Sequence, residues 1–186
     1  GVSLASELIS AGSKVTFIYG PGNEKAPKGA KIINVVSSKE MHSAVKSELK
    51  KKFDIVIMAA AVADYVPTIQ SKNKIKSSKS SMNISLKKAP KIIDQIKKYQ
   101  NDVLLVGFKA ETNVTKDQLI KSAQKKLKES AADMIIANDI GSVRYKKNPK
   151  NNQVIIVDSK KNIVSGWMNK EKIAKFIRNQ IEMKIK

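Results

Sequence analysis

The sequence predicts an α/β domain on a doubly wound, mainly parallel sheet, and three observations predict it. Apolar strand patterns alternate with amphipathic helix patterns from residue 14 to residue 139, the order that places helices on both faces of parallel strands. Residues 55–57 are an unbroken β-branched run, as in a strand buried on both faces. After residue 152 the pattern changes to two short strands around a polar turn, which adds an antiparallel hairpin at one edge.

Taken in order, residues 1–12 read as a helix with Val2, Ala5, Leu8 and Ile9 on one face and Gly12 at its stop. A strand over 14–19 ends at the turn signal Gly20-Pro21-Gly22, and a second strand is predicted over 31–36. Ser37 or Ser38 caps the next helix, with Glu40 in its first turn and Met41, Ala44 and Val45 as its buried stripe. His42 falls on the exposed side of that helix and has no predicted role. The strand over 54–61 ends in the small residues Ala59, Ala60 and Ala61.

Between Tyr65 and Ile93 there is no acidic residue, while lysines recur. Residues 77–81 read as a mobile serine-rich loop. The alternation of Met82, Ile84 and Leu86 predicts a half-exposed strand over 82–86. Together, residues 65–88 form an arm projecting from the sheet. Pro90 opens a helix that buries Ile92, Ile93 and Ile96. Then follow a strand over 103–108, a lysine-rich helix over 116–130, a strand over 133–137, a basic loop over 141–152, the hairpin strands 153–157 and 162–167, and a closing helix over 169–186. The result is one domain, residues 1–186. A sheet of this class opens with a strand and a phosphate-binding loop before its first helix, so both are expected ahead of Gly1.

Composition narrows the chemistry. With 36 basic and 16 acidic residues the formal charge is +20, and Arg144 and Arg178 are the only arginines. Lysine excess with only two arginines and few aromatics reads as solvation with general polyanion attraction rather than sequence readout. There are no cysteines and one histidine, which excludes disulfides, thiolate metal sites and clustered histidine ligands. Catalysis must therefore use carboxylates, lysines, amides and bound Mg²⁺. No apolar run reaches the roughly 18 residues of a membrane helix, and the expected compartment is the cytoplasm.

Small residues at the carboxyl end of a parallel strand let a ligand approach the backbone, and that end is where open α/β sheets bind ligands. Asp64 follows the alanine row, and Lys72, Lys74 and Lys76 lie just beyond it. This combination predicts a nucleotide or phosphate site, although no Walker loop and no G-x-G-x-x-G is complete. Gly20-Pro21-Gly22 reads as a turn. Phe108 reads equally as core or as a pocket wall, and Asn138-Asp139 as strand-ending turn residues.

The runs AAAVADY (59–65), KIK (74–76), VGFKAET (106–112), KKLKES (125–130) and DMIIAND (133–139) stand in an order that resembles the phosphopantothenoylcysteine synthetase (phosphopantothenate–cysteine ligase) family. That family is often the C-terminal domain of a bifunctional coenzyme A biosynthesis protein. The resemblance implies a Rossmann-like sheet and a two-step reaction. The carboxylate of 4′-phosphopantothenate attacks the α-phosphate of a nucleoside triphosphate, CTP rather than ATP, giving an acyl-cytidylate and pyrophosphate. The amine of L-cysteine then displaces CMP.

Carried over by position, Met58, Ala59, Ala60, Asp64, Lys74, Pro90, Lys91, Ile92, Ile93, Phe108 and Lys126 would bind the nucleotide. Ala60, Ala61 and Asp64 would face phosphopantothenate. Lys74, with Asp64, would be catalytic, Lys74 acting beside the transferring phosphorus. The resemblance further implies Mg²⁺, a homodimer exchanging the arm at 65–88, and FMN only if a decarboxylase domain precedes the chain. Ser130 stands where many relatives have a second lysine, and the upstream loop with its asparagine would precede Gly1. The rival expectation, from another class, is a basic nucleic-acid-binding module on the same sheet.

Overall fold

A computed structural model describes residues 1–69, 71, 73–75 and 80–185. Lys72, Lys76 and the first part of the serine-rich segment lie outside the described residues. Helix α1 (Val2–Ser10) precedes strands β1 (Thr16–Tyr19) and β2 (Lys31–Asn34), and α2 (Ser38–Leu49) leads into β3 (Ile55–Met58). The arm carries β4 (Tyr65–Pro67) and β5 (Leu86–Lys88). Next come α3 (Ile93–Tyr99), β6 (Leu104–Glu111), α4 (Lys116–Ser130) and β7 (Met134–Asp139). The chain closes with α5 (Val143–Lys147), β8 (Asn151–Asn152), β9 (Ile155–Val157), β10 (Asn162–Val164), β11 (Met168–Asn169) and α6 (Lys170–Ile185).

The central sheet runs β10-β9-β7-β6-β3, with β3, β6 and β7 parallel and the late hairpin antiparallel at the edge. β1 and β2 form a separate parallel pair, so the strands do not all join one ladder. Among the described residues β3 has β6 on one side and no strand on the other.

Side chains alternate along each strand and so divide into two cores, one on each face of the sheet. Leu105, Ile135, Ile155 and Val157 pack with Met41, Val45 and Leu49 of α2, Ile93 and Ile96 of α3, and Leu119 and Ala123 of α4. Val106, Met134, Ile136 and Ile156 pack with Leu4 of α1 and with Ile173, Ala174, Ile177 and Ile181 of α6. Helices thus cover both faces as predicted, although Leu4, absent from the predicted stripe, is among the most buried residues of α1.

The helix starts are chemically explicit. Ser37 caps α2 by accepting the Glu40 N–H (3.1 Å), and Glu40 Oε2 in return accepts the Val36 N–H (3.0 Å). Thr115 and Gln118 form a complete capping box on α4. At the other end of α4, Ala131 turns left-handed (φ 51°), a conformation usually taken by glycine.

Five local expectations are corrected. The strand expected over 54–61 ends at Met58, which sits opposite Gly107, and β6 then continues to Glu111 paired with β7 alone. The strand expected over 82–86 lies instead at Leu86–Lys88, because the ladder to β4 fixes Pro67 opposite Leu86. Met82 and Ile84 are 55% and 61% exposed, so their alternation follows a ribbon with no sheet behind it. The basic loop contains α5, capped by Ser142. Pro90 precedes its helix by three residues, and Ile92 takes the N-cap position. His42 is half-buried rather than exposed, with Nε2 2.8 Å from the Tyr99 hydroxyl, which ties α2 to α3.

Candidate functional site

Met58 and Gly107 stand opposite each other at the carboxyl end of β3. A Cβ on Gly107 would come within 2.7 Å of Ile93 Cδ1 and 2.8 Å of Ile135 Cδ1. The missing side chain therefore lets the start of α3 settle over the strand. Ile92 and Ile93 point into the core as a result.

The alanine loop follows β3, with Ala59 half-buried and Ala60, Ala61 and Asp64 exposed. The Asp64 carbonyl accepts the Ala89 N–H at 2.8 Å, and Tyr65 pairs with Lys88. Residues far apart in sequence, the alanine loop and Ala89-Pro90, thus share the base of the arm. Beside them is a cavity of about 560 Å³ lined by Lys88, Ala89, Pro90, Lys91, Asp94 and Glu129. Lys126 joins it indirectly, with Nζ 3.4 Å from Asp94 Oδ1. The cavity walls are therefore mixed in charge, lysines against two carboxylates.

Several predicted residues stand together here: Pro90, Lys91, the backbone at Asp64 and, through Asp94, Lys126. Others are separated. Met58 packs against the α2–α3–α4 core, whereas Phe108 packs on the opposite face against the α1–α6 core. Lys74 is exposed on the arm, and no hydrogen bond among the described residues joins it to the cavity. Ser130 is 3% exposed and donates its hydroxyl to the Lys126 carbonyl at 2.7 Å, so that position supplies no charge. Sequence reasoning missed Lys88, Asp94 and Glu129. Asp94, in the first turn of α3, was the most accessible signal, because an acid there complements the helix dipole and faces a neighbouring helix.

The motifs at the ends of β6 and β7 interlock. Asp139 Oδ1 accepts the N–H groups of Asn113 (2.9 Å) and Gly141 (2.8 Å), and the Ile140 N–H donates to the Glu111 carbonyl (2.9 Å). Glu111 Oε1 accepts the Ser122 hydroxyl at 2.5 Å and lies 3.1 Å from Lys109 Nζ. The Ser122 hydrogen bond, and then that of Lys109, hold the Glu111 carboxyl below the ordinary glutamate value of 4.5. A depressed carboxyl adds stability that is present above the unfolded value and is lost as pH falls through the folded one. Glu111→Gln is therefore expected to flatten the acid limb of the stability curve below about pH 5, measured by chemical denaturation at stepped pH. An unchanged acid limb would remove this role.

Residues 1–184 match the family described as DNA/pantothenate metabolism flavoprotein C-terminal domain. The chain is 35% identical to the coenzyme A biosynthesis bifunctional protein CoaBC of Thermococcus kodakarensis, over 98% of this chain and 44% of that protein. It is 38% identical to the CoaBC protein of Borreliella burgdorferi, over 95% of this chain and 44% of that one. The chain thus spans less than half the length of these relatives. Among solved structures, the DNA/pantothenate metabolism flavoprotein from Streptococcus pneumoniae superposes with a TM-score of 0.85 at 26% identity, covering 98% of this chain and 86% of that one. The C-terminal domain of a CoaBC protein superposes with a TM-score of 0.79 at 28% identity, covering 100% of this chain and 81% of that one. With almost its whole length matched, the chain belongs to the family of DNA/pantothenate metabolism flavoprotein C-terminal domains.

Proposed function

We propose that the chain is the ligase domain of coenzyme A biosynthesis, joining 4′-phosphopantothenate to L-cysteine at the expense of CTP. The observation that carries this reading is the meeting of the alanine loop, at the ligand end of β3, with Ala89-Pro90 beside a lysine-bearing cavity. The similarity to CoaBC proteins supports it. In this reading Ala60 and Ala61 admit the pantothenate chain. Lys88, Lys91 and Lys126 attract the triphosphate, with Lys126 exchanging Asp94 for a phosphate oxygen. Lys74 swings in on the arm to neutralise charge at the α-phosphorus, and such placed cations are the main catalytic device of phosphoryl and nucleotidyl transfer.

Mg²⁺ would arrive on the nucleotide. Among the described residues no three histidine or carboxylate side chains cluster to hold a metal. Magnesium held mainly by substrate phosphates and water needs only one or two carboxylates, which Asp94 and Glu129 could supply.

The arm exposes Tyr65, Ile69, Ile75, Met82, Ile84 and Leu86, an apolar surface suited to a second copy of the chain in a homodimer. An added strand ahead of Gly1 would have the open edge of β3 to pair with. The reading places the enzyme in the cytoplasm, and no described helix is long and apolar enough to cross a membrane.

The competing nucleic-acid reading rests on the charge of +20 alone. Thermal shift separates the two. CTP with Mg²⁺ is expected to raise the melting temperature of the complete natural protein, whereas oligonucleotides should bind weakly at physiological salt. No shift with CTP, together with tight and steeply salt-dependent oligonucleotide binding, would favour the rival.

A further inference from the structure

The α1–α6 face of the sheet carries a second cavity, of about 400 Å³, beneath the β9–β10 turn and the last turns of α6. Met134, Ile156 and Ile163 form its apolar floor. Met134, Ile156 and Ile163 belong to the α1–α6 face of the sheet, whereas Asp94 and Glu129 of the candidate cavity are carried by α3 and α4 on the opposite face.

Lys160, Lys161 and Lys184 surround this floor, with Asp158 as the one acid among them. The Asp158 side chain is only 4% exposed. Its Oδ1 accepts the N–H groups of Lys160 (2.7 Å) and Lys161 (2.9 Å), and its Oδ2 lies 3.0 Å from Lys184 Nζ. Burial pushes this carboxyl up, yet the two backbone donors and Lys184 together bring it below the ordinary aspartate value. Asp158 is thus ionised and fully committed. It fixes the turn and holds Lys184 over the cavity, and its own charge is already neutralised.

Lys160 and Lys161 are exposed, and neither has an ion-pair partner among the described residues. Three ammonium groups against one carboxylate leave two positive charges around an apolar floor. The carboxyl end of α6 opposes an anion through its dipole, and Lys184 in the last turn offsets that. Met183, 62% exposed at the rim, extends the apolar surface outward.

A dent among surface lysines is commonplace in a chain of this charge. An apolar floor and a rim ordered by a buried, satisfied aspartate are not. We propose that this cavity is a second binding site, separate from the ligase site, for a phosphomonoester carrying a short apolar chain. The phosphate dianion would answer the two net charges, and the chain would cover Ile163 and Met183, above the buried Met134 and Ile156.

The six methionines make the test direct, because Met134 and Met183 line this cavity while Met41 and Met58 pack on the other face of the sheet. The full chain, labelled at its methionine methyl groups, is titrated by NMR with n-hexyl phosphate, inorganic phosphate and hexanol at physiological salt. The expected result is saturable shifts of Met134 and Met183 with hexyl phosphate, about tenfold or more tighter than with inorganic phosphate. Lys160→Gln with Lys161→Gln should weaken that binding by about tenfold and leave the melting temperature unchanged. Equal affinity for hexyl phosphate and inorganic phosphate, shifts confined to Met41 and Met58, full binding in the double variant, or no saturable shift would each overturn the proposal.

Discussion

Replacing Lys74 with Gln in the complete natural protein is expected to lower turnover by about a hundredfold to a thousandfold while changing CTP affinity by less than about tenfold. The asymmetry follows from where Lys74 sits. It is exposed on the arm and does not line the cavity whose lysines, under the proposed function, would hold the nucleotide in the ground state. In the proposed reaction a cation brought in on the arm would meet the phosphorus as charge develops there, so its loss would fall on the transition state. Lys91→Gln should show the opposite pattern, weakening CTP binding with a smaller effect on turnover. Near-normal turnover in Lys74→Gln would remove Lys74 from the chemistry.

The second large effect concerns stability. A Cβ on Gly141 would lie 2.4 Å from Thr112 Cγ2 and 2.5 Å from the Asn113 backbone nitrogen. A backbone atom cannot rotate away as a side-chain tip can. Gly141→Ala must therefore separate the two loops that Asp139 holds together, at a cost of about 3 kcal/mol. For a chain of this size that lowers the melting temperature by about 6–12 °C. Gly20→Ala is the control, since its Cβ would meet only Met41 Cε at an ordinary 3.6 Å. Equal melting temperatures for Gly141→Ala and the unaltered chain would show that the junction yields without cost.

These two residues also mark what sequence could and could not reveal. Lys74 stood out because an acid-free lysine segment follows a strand ending in alanines, a local pattern with a local cause. Gly141 did not, because its need for a bare Cα comes from Thr112 and Asn113, which only the pairing of β6 with β7 brings alongside. The same distinction runs through the fold. The helix over 116–130 was legible to the residue, since its capping box and apolar spacing are encoded within it. The strand at Leu86–Lys88 was misplaced because its register is set by β4, some twenty residues earlier.

In the site, the division of Met58 and Phe108 between the two faces follows from strand alternation and pairing together. Either residue alone gave no hint of it. Asp94 escaped notice because its meaning lies in its contact with Lys126, thirty-two residues later on another helix.

The central claim is that this domain makes an acyl-nucleotide before it makes an amide. Pyrophosphate release tests it most directly, using the complete natural protein with 4′-phosphopantothenate, Mg²⁺ and either CTP or ATP, before any cysteine is added. The account predicts prompt pyrophosphate with CTP, close to one per active site, and much less with ATP. Absence of pyrophosphate with both nucleotides, or release of inorganic phosphate and a nucleoside diphosphate in its place, would contradict it.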